Sequence, residues 1–256
     1  MKWRLVVVVL VVLSGCSTPF GGMETATPTV TPAEVPDGPA DSLAPGVEGQ
    51  GVVAPALLVD AHNRTLANQS FTVRFTQTRL HYGELRDRLT IVGAIDPTRN
   101  VSRIRVRQPG GGAGPSVMTF VRVNDTLTRV VRVDNETVSR ETFPPQSTPP
   151  STFDPRLSDR FRRMLDSVAI DRIEPRDPDA SRYVLSGSTP ANRSLLVGAR
   201  DSLQSVRLTV EITDSGRLQR YSRTHSFVRG RTNVTLLERG SIGAVGQTQV
   251  NTTLPE

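Results

Sequence analysis

Beyond position 16 the sequence contains no cysteine, no lysine and no tryptophan. Each absence removes a class of chemistry. Without lysine there is no P-loop lysine, no Schiff base, no Ser-Lys dyad and no pyridoxal site. Without a further cysteine there is no disulfide, no thiolate metal site and no second thiol. Without tryptophan, and with aromatics at 5% of the chain, there is little for sugars or bases to stack on. Three histidines remain, His62, His81 and His225. No His-X3-His or Glu-X2-His spacing joins them to a metal or a base. Gly-X-Ser-X-Gly is also missing, and with it the nucleophile elbow.

The single cysteine stands where it carries information. Met1-Lys2-Trp3-Arg4 is a short basic start, and Leu5 to Leu13 is a nine-residue apolar run. Such a run is too short to span a bilayer and fits a secretory signal. Leu13-Ser14-Gly15-Cys16 follows, which resembles a lipobox. The expectation is a signal peptide over residues 1–15, lipidation of Cys16, and anchorage on the outer face of the cell membrane. Removal of fifteen residues leaves 241 of the 256.

Charge divides the rest. Residues 16–51 carry Glu24, Glu34, Asp37, Asp41 and Glu48 and no cation; residues 52–256 carry 29 basic and 20 acidic side chains. An acidic Pro/Thr-rich stretch without apolar periodicity reads as a disordered tether over 16–51. The basic remainder, 52–256, reads as a single domain that could rest on an anionic surface. Asn63, Asn68, Asn100, Asn124, Asn135, Asn192, Asn233 and Asn251 are all the asparagines present, and each opens an Asn-X-Ser/Thr sequon. With Ser and Thr at about one residue in five, eight of eight by chance is on the order of one in a million. These eight are the expected N-glycosylation sites, with Asn124 and Asn135 also suited to hairpin corners.

Hydrophobic periodicity orders the body. A helix is expected from Pro55 to Asn68, with proline in its first turn. Strands follow in which apolar and polar residues alternate: Phe71, Val73 and Phe75, then Leu89, Ile91 and Ile95, then Ile104 and Val106 between Arg103, Arg105 and Arg107. Such alternation predicts antiparallel strands with one wet face. Gln108 to Ser116 is rich in glycine but matches no phosphate-binding pattern, so it reads as a hairpin connection. Residues 117–123, 126–133 and 137–143 continue the meander. After a proline-rich crossing at 144–154, Asp154 is the expected N-cap of a second helix with Pro155 first in it. Its stripe is Leu157, Phe161, Met164, Leu165 and Val168. Strands resume at Tyr183 and Leu185, continue through Val206, Leu208, Val210 and Ile212, turn at Asp214-Ser215-Gly216, return over 218–228, and end at Val234 to Glu238. From Ser241 the chain is expected to fray. Asp171, Glu174, Asp177 and Asp179 lack the Asp-X-Asp-X-Asp-Gly order of a calcium loop.

Pro45-Gly46-Val47, Leu58-Val59-Asp60-Ala61-His62 and Leu66-Ala67-Asn68-Gln69-Ser70-Phe71-Thr72-Val73-Arg74 resemble segments of haloarchaeal lipoproteins. Arginine in place of lysine and the threonine-rich linker agree with that likeness, while the net charge of +6 departs from the acidity usual in halophiles. At fold level the order of elements and the Asp214-to-Leu218 hairpin resemble the LolA/LppX group. That resemblance implies an α+β fold: a curved, largely antiparallel sheet, an incomplete barrel, covered by two or so helices, with an apolar cavity. The side chains expected to line it are Phe71, Val73, Phe75, Ile91, Ile104, Val106, Phe161, Leu165, Val206, Leu208 and Val210.

The function expected from this reading is a membrane-anchored lipoprotein, not an enzyme, that binds a lipid or isoprenoid chain between sheet and helices. The alternative is an envelope interaction or sensor module with a solid core. Neither reading calls for a cofactor, a metal or nucleic acid. The expected partners are the membrane, through the lipid anchor, and either a lipid ligand or an envelope protein.

Overall fold

The computed structural model describes residues 42–108, 116–144 and 154–255, all within a compact unit running from Pro39 to Glu256. The signal segment, Cys16, most of the tether and the centres of the two proline- and glycine-rich connections lie outside the described residues. The tether expectation ran to residue 51, but strands β1 (Ser42–Ala44), β2 (Val47–Glu48) and β3 (Gly51–Val52) already form a small sheet. Ala44 and Val47 draw this stretch into the fold, because both are buried in the main core.

Helix α1 spans Pro55–Ala67 and buries Leu58, Val59, Ala61, His62 and Leu66. Six strands then follow as hairpins: β4 (Phe71–His81), β5 (Glu84–Asp96), β6 (Val101–Gln108), β7 (Ser116–Val123), β8 (Thr126–Val133) and β9 (Glu136–Phe143). Asn124 (φ +52°), Asp134 (φ +48°) and Asn135 (φ +70°) hold their turns in the left-handed region, where short polar side chains are tolerated.

Helix α2 starts later than its sequence suggests, at Ser158, and ends at Ser167. Asp154 still caps the approach. Its Oδ1 accepts from the Arg156 N–H at 2.9 Å and its Oδ2 from the Asp159 N–H at 3.0 Å. Leu157 intervenes at φ +60°, a conformation costing a leucine about 1–2 kcal/mol, and is fully buried. That burial offsets the strain. The predicted stripe of Leu157, Phe161, Met164, Leu165 and Val168 is buried throughout.

The remaining elements are β10 (Val168–Ala169), β11 (Arg172–Pro175), β12 (Arg182–Gly187), β13 (Thr189–Pro190), a 3-10 turn at Arg193–Leu195, β14 (Ser202–Thr213), β15 (Leu218–Arg229) and β16 (Thr232–Gly243). Eleven strands make one antiparallel sheet in the order β11-β12-β14-β15-β16-β4-β5-β6-β7-β8-β9. β10 and β13 pair separately. The sheet is not closed, since β11 and β9 stand at opposite ends of that order. Sheet dominates over helix more than the α+β expectation implied.

The last strand runs past Glu238 to Gly243, and the chain beyond it is held rather than frayed. Ile242 is buried in the core. The Gly246 N–H donates to the Ser70 carbonyl at 2.7 Å, and the Thr248 N–H to the Ser70 hydroxyl at 3.1 Å. Arg103 reaches the Thr253 carbonyl at 2.8 Å and Arg140 the Pro255 carbonyl at 3.3 Å.

The core forms between one face of the sheet and both helices. Phe71, Val73, Phe75, Ile91, Ile104, Val106, Leu208 and Val210 join Leu58, Leu66, Phe161 and Met164 in one cluster. Gly240 stands at a tight point of this face. A Cβ there would lie 2.2 Å from Cε1 of Tyr221, its neighbour in register on β15. The ring covers the missing side chain, an arrangement that rescues a strand glycine. Gly240→Ala should therefore lower stability by about 1–3 kcal/mol through overpacking, a loss measurable by urea titration.

Candidate functional site: an arginine-bearing open sheet face

Period-two alternation sends every second strand residue away from the helices. On β4 these are Thr72, Arg74, Thr76, Thr78 and Leu80. Register carries the pattern sideways. Arg74 pairs with Ser241 on β16 and Val92 on β5, and Val92 pairs with Arg105 on β6. One row along, Arg239 pairs with Ser222 on β15 and Thr76 on β4, and Thr90 pairs with Arg107. Arg88 faces Thr78. Each of these arginines thus has Ser, Thr or Val directly opposite it. Opposed like charges would destabilise the pairing, and this arrangement avoids them. Neighbouring strands lie about 4.8 Å apart, so the guanidinium groups still form one field.

Arg74, Arg88, Arg105, Arg107 and Arg239 are exposed and make no ion pair with any described residue. Toward β14 the field meets Glu211, a buried carboxylate. Glu211 takes Arg220 at 2.7 Å and Arg182 at 3.4 Å, with Arg176 at 4.0 Å. Arg182 also grips Asp177, Nη2 to Oδ1 at 2.8 Å, and this bond holds the Asp177 carboxyl below its ordinary range. Four hollows follow the field. The largest, about 550 Å³, is lined by Arg74, Thr76, Arg176, Thr209, Glu211, Arg220, Ser222, Arg239 and Ser241, together with Val184, Tyr221 and Gly240. The others adjoin Arg88 and Arg239 (about 390 Å³), Arg86 and Arg107 (about 520 Å³), and Arg105 and Asn135 (about 300 Å³).

The helix-side face has its own polar cluster. Arg223 donates from Nε to Glu238 at 2.8 Å, and Arg160 of α2 approaches Glu238 at 3.6 Å while lying 4.1 Å above the Phe75 ring. Beside them the Tyr221 hydroxyl and both ring nitrogens of His225 are buried without a hydrogen-bond partner among the described residues. Burial, then the Glu238 charge, pushes the Tyr221 phenol up. Burial, then Arg223, pulls His225 down to about 4, and the nearby Leu196 main chain and Glu238 offset part of that. His62 is structural. Its Nδ1 accepts from the Leu218 N–H at 3.2 Å, so Nε2 carries the proton and donates to the Arg156 carbonyl at 2.7 Å. Burial lowers its pKa. His81 is half-buried on β4.

The eleven residues expected to line an apolar cavity are Phe71, Val73, Phe75, Ile91, Ile104, Val106, Phe161, Leu165, Val206, Leu208 and Val210. They do come together, all buried within the one core cluster. None of them lines any of the four hollows. Of the sequon asparagines, Asn68, Asn100, Asn124, Asn135, Asn192, Asn233 and Asn251 are exposed. Asn63 is half-buried, its carboxamide accepting from the Ser158 hydroxyl. Cys16 lies outside the described residues. The acidic run is engaged by arginine, Asp177 by Arg182 and Glu174 by Arg172. Sequence reasoning noted Arg103, Arg105 and Arg107 as a wet face but missed Arg88, Arg220, Arg239 and Glu211. Their signal is the recurrence of arginine at alternate positions across strands that only register brings side by side.

No family model matches the chain, and no curated protein does. Among solved structures it shows a remote similarity to the crystal structure of MucB in complex with MucA(peri). Identity is 10%, coverage is 74% of this chain and 94% of that chain, and the TM-score is 0.12, too low to carry an argument.

Proposed function

We propose that this protein is a membrane-anchored, extracytoplasmic, non-enzymatic interaction module whose open sheet face docks onto an acidic surface of another envelope protein. The observation that carries this reading is the set of five exposed arginines, on four adjacent strands, without ion-pair partners among the described residues. A one-signed field steers and orients an oppositely charged partner, and arginine is suited to bidentate recognition of carboxylates. The sequon asparagines support it by position. Asn63 and Asn68 lie on and just after α1, Asn135 borders the field at Arg105 and Arg107, and the others stand at turns, strand starts and the C-terminal segment. Sugars on these would stand at the margins of the docking face.

The packing on the other face favours the same reading over an apolar carrier. A chain between sheet and helices would need the room that Phe71, Phe75, Phe161 and Leu208 fill. We further read the sheet as an incomplete, curved barrel and the chain as a relative of LolA/LppX-type lipoproteins. Element order and two helices on one sheet face support this.

The test is site-specific photocrosslinking from position 105 of the full-length protein in its native membranes. The expected result is a discrete protein adduct whose crosslinked peptide is acidic. Its yield should fall about tenfold or more in Arg88→Glu/Arg107→Glu, because charge reversal slows association. Adducts with lipid alone, or a yield indifferent to the reversals, would overturn the proposal.

A further inference from the structure

We infer that the hollow beside Glu211 is a binding site for a phosphate-class dianion, either free or carried as a lipid headgroup. This goes beyond the docking reading: it shares Arg74 and Arg239 with that field and adds Arg176, Arg220 and Glu211. The hollow measures about 550 Å³, within the range of small-ligand sites. Arg74, Arg176, Arg220 and Arg239 line it against a single carboxylate, Glu211, leaving an excess of three positive charges. Arg74 and Arg239 have no ion pair of their own among the described residues. Arg220 is held differently. Glu211 accepts from its Nε at 2.8 Å and lies 2.7 Å from its Nη2, so Nη1 remains for a ligand. Glu211 is thus a positioning residue, a buried anion that fixes the direction of an exposed cation.

The remaining lining decides the ligand class. Ser222 and Thr76 line the hollow in register with Arg239, Ser241 in register with Arg220 and Arg74, and Thr209 in register with Ser222. A tetrahedral dianion can take charge-assisted bonds from several arginines and single bonds from hydroxyls. A monocarboxylate leaves most of that charge unmatched. Divalent cations are excluded by the sign of the site. A phosphomonoester or inorganic phosphate matches both charge and geometry.

Full-length protein in detergent would be titrated calorimetrically with inorganic phosphate at fixed ionic strength. The expected result is saturable binding that weakens about tenfold or more in Arg74→Ala/Arg239→Ala, as loss of charge-assisted bonds predicts. Arg88→Ala/Arg107→Ala, which removes part of the docking field, should bind phosphate as the unaltered protein does. Glu211→Gln should weaken binding although it removes a negative charge; simple electrostatics predicts the reverse. Neutral phosphatidylcholine vesicles with and without phosphatidic acid identify the source. Capture by phosphatidic acid that free phosphate competes away assigns a headgroup, and phosphate binding without capture assigns a free ligand. Absence of saturable phosphate binding, or equal loss in both arginine pairs, would overturn the site. Crosslinking from position 105, and its loss in Arg88→Glu/Arg107→Glu, reads the docking proposal separately, because neither of those two arginines lines the hollow.

Discussion

Glu238→Gln should destabilise the body by about 3–5 kcal/mol, the usual result of removing one partner from a buried ion pair. Glu238 is 5% exposed and lies between the sheet and α2. It neutralises Arg223, whose side chain is 12% exposed, and approaches Arg160. Glutamine keeps the shape and one acceptor but leaves two cations facing each other in a dry environment. For a body of about this size the midpoint of thermal unfolding should fall by about 10 °C or more. The control is the double variant Arg223→Met/Glu238→Leu, which removes both charges and fills the same space. It should lose far less, since apolar replacement of a whole buried pair is often neutral. Arg160 then keeps its place over the Phe75 ring. Scanning calorimetry of the three proteins decides. Equal stability of Glu238→Gln and the unaltered protein would mean that the two arginines reach water.

Acid should weaken the fold well before its carboxylates titrate. His225 has a folded pKa near 4, against 6.5 in the unfolded chain. Between those values the unfolded state binds the proton and the folded state does not, so stability rises with pH across that window. The contribution is complete above about pH 6.5 and is lost progressively down to about pH 4, a displacement that corresponds to about 3 kcal/mol. His62 shifts in the same direction, also through burial, and adds to the slope. Asp96 acts lower down. Hydrogen bonds from Thr98 and Arg99 hold it near 2, so its contribution is present above pH 4 and lost as pH falls through 2. Urea midpoints measured from pH 7.5 to 4.5 should therefore decline steadily, and His225→Phe should flatten much of that decline. A flat profile in the unaltered protein would show that His225 reaches solvent.

The elements that the sequence reveals are those whose apolar residues recur at one period. Phe71, Val73 and Phe75 mark β4, and Phe161, Met164 and Leu165 mark the buried side of α2. What stays hidden is which inward positions are polar, even on strands whose presence the pattern reveals. Arg223, His225 and Glu238 occupy core-facing places on β15 and β16, and nothing in the local pattern separates them from solvated residues. Their burial follows from α2 and the 3-10 turn lying over them, a tertiary fact. The open-face site was obscured for a related reason. Arg74, Arg88, Arg107 and Arg239 are scattered over more than 160 positions of sequence and become neighbours through the pairing of β16 with β4. Short strands such as β1 to β3 have too few residues for any period to register.

That same pairing has a consequence for how the chain reaches its final form. β4 to β9 are joined by successive hairpins, and so are β14 to β16; Phe75 and Gly240 meet across a seam between the two groups. Hairpins close quickly because their contacts are local, whereas a contact between distant segments must wait for loop closure. Chain emerges from its N-terminal end, so β4 is complete long before β16 exists. Throughout that interval β4 offers an unpaired edge carrying Phe71, Val73 and Phe75, the kind of edge that invites foreign strands. Assembly of the seam is therefore the step at which a newly made molecule either completes its own sheet or joins a neighbour's.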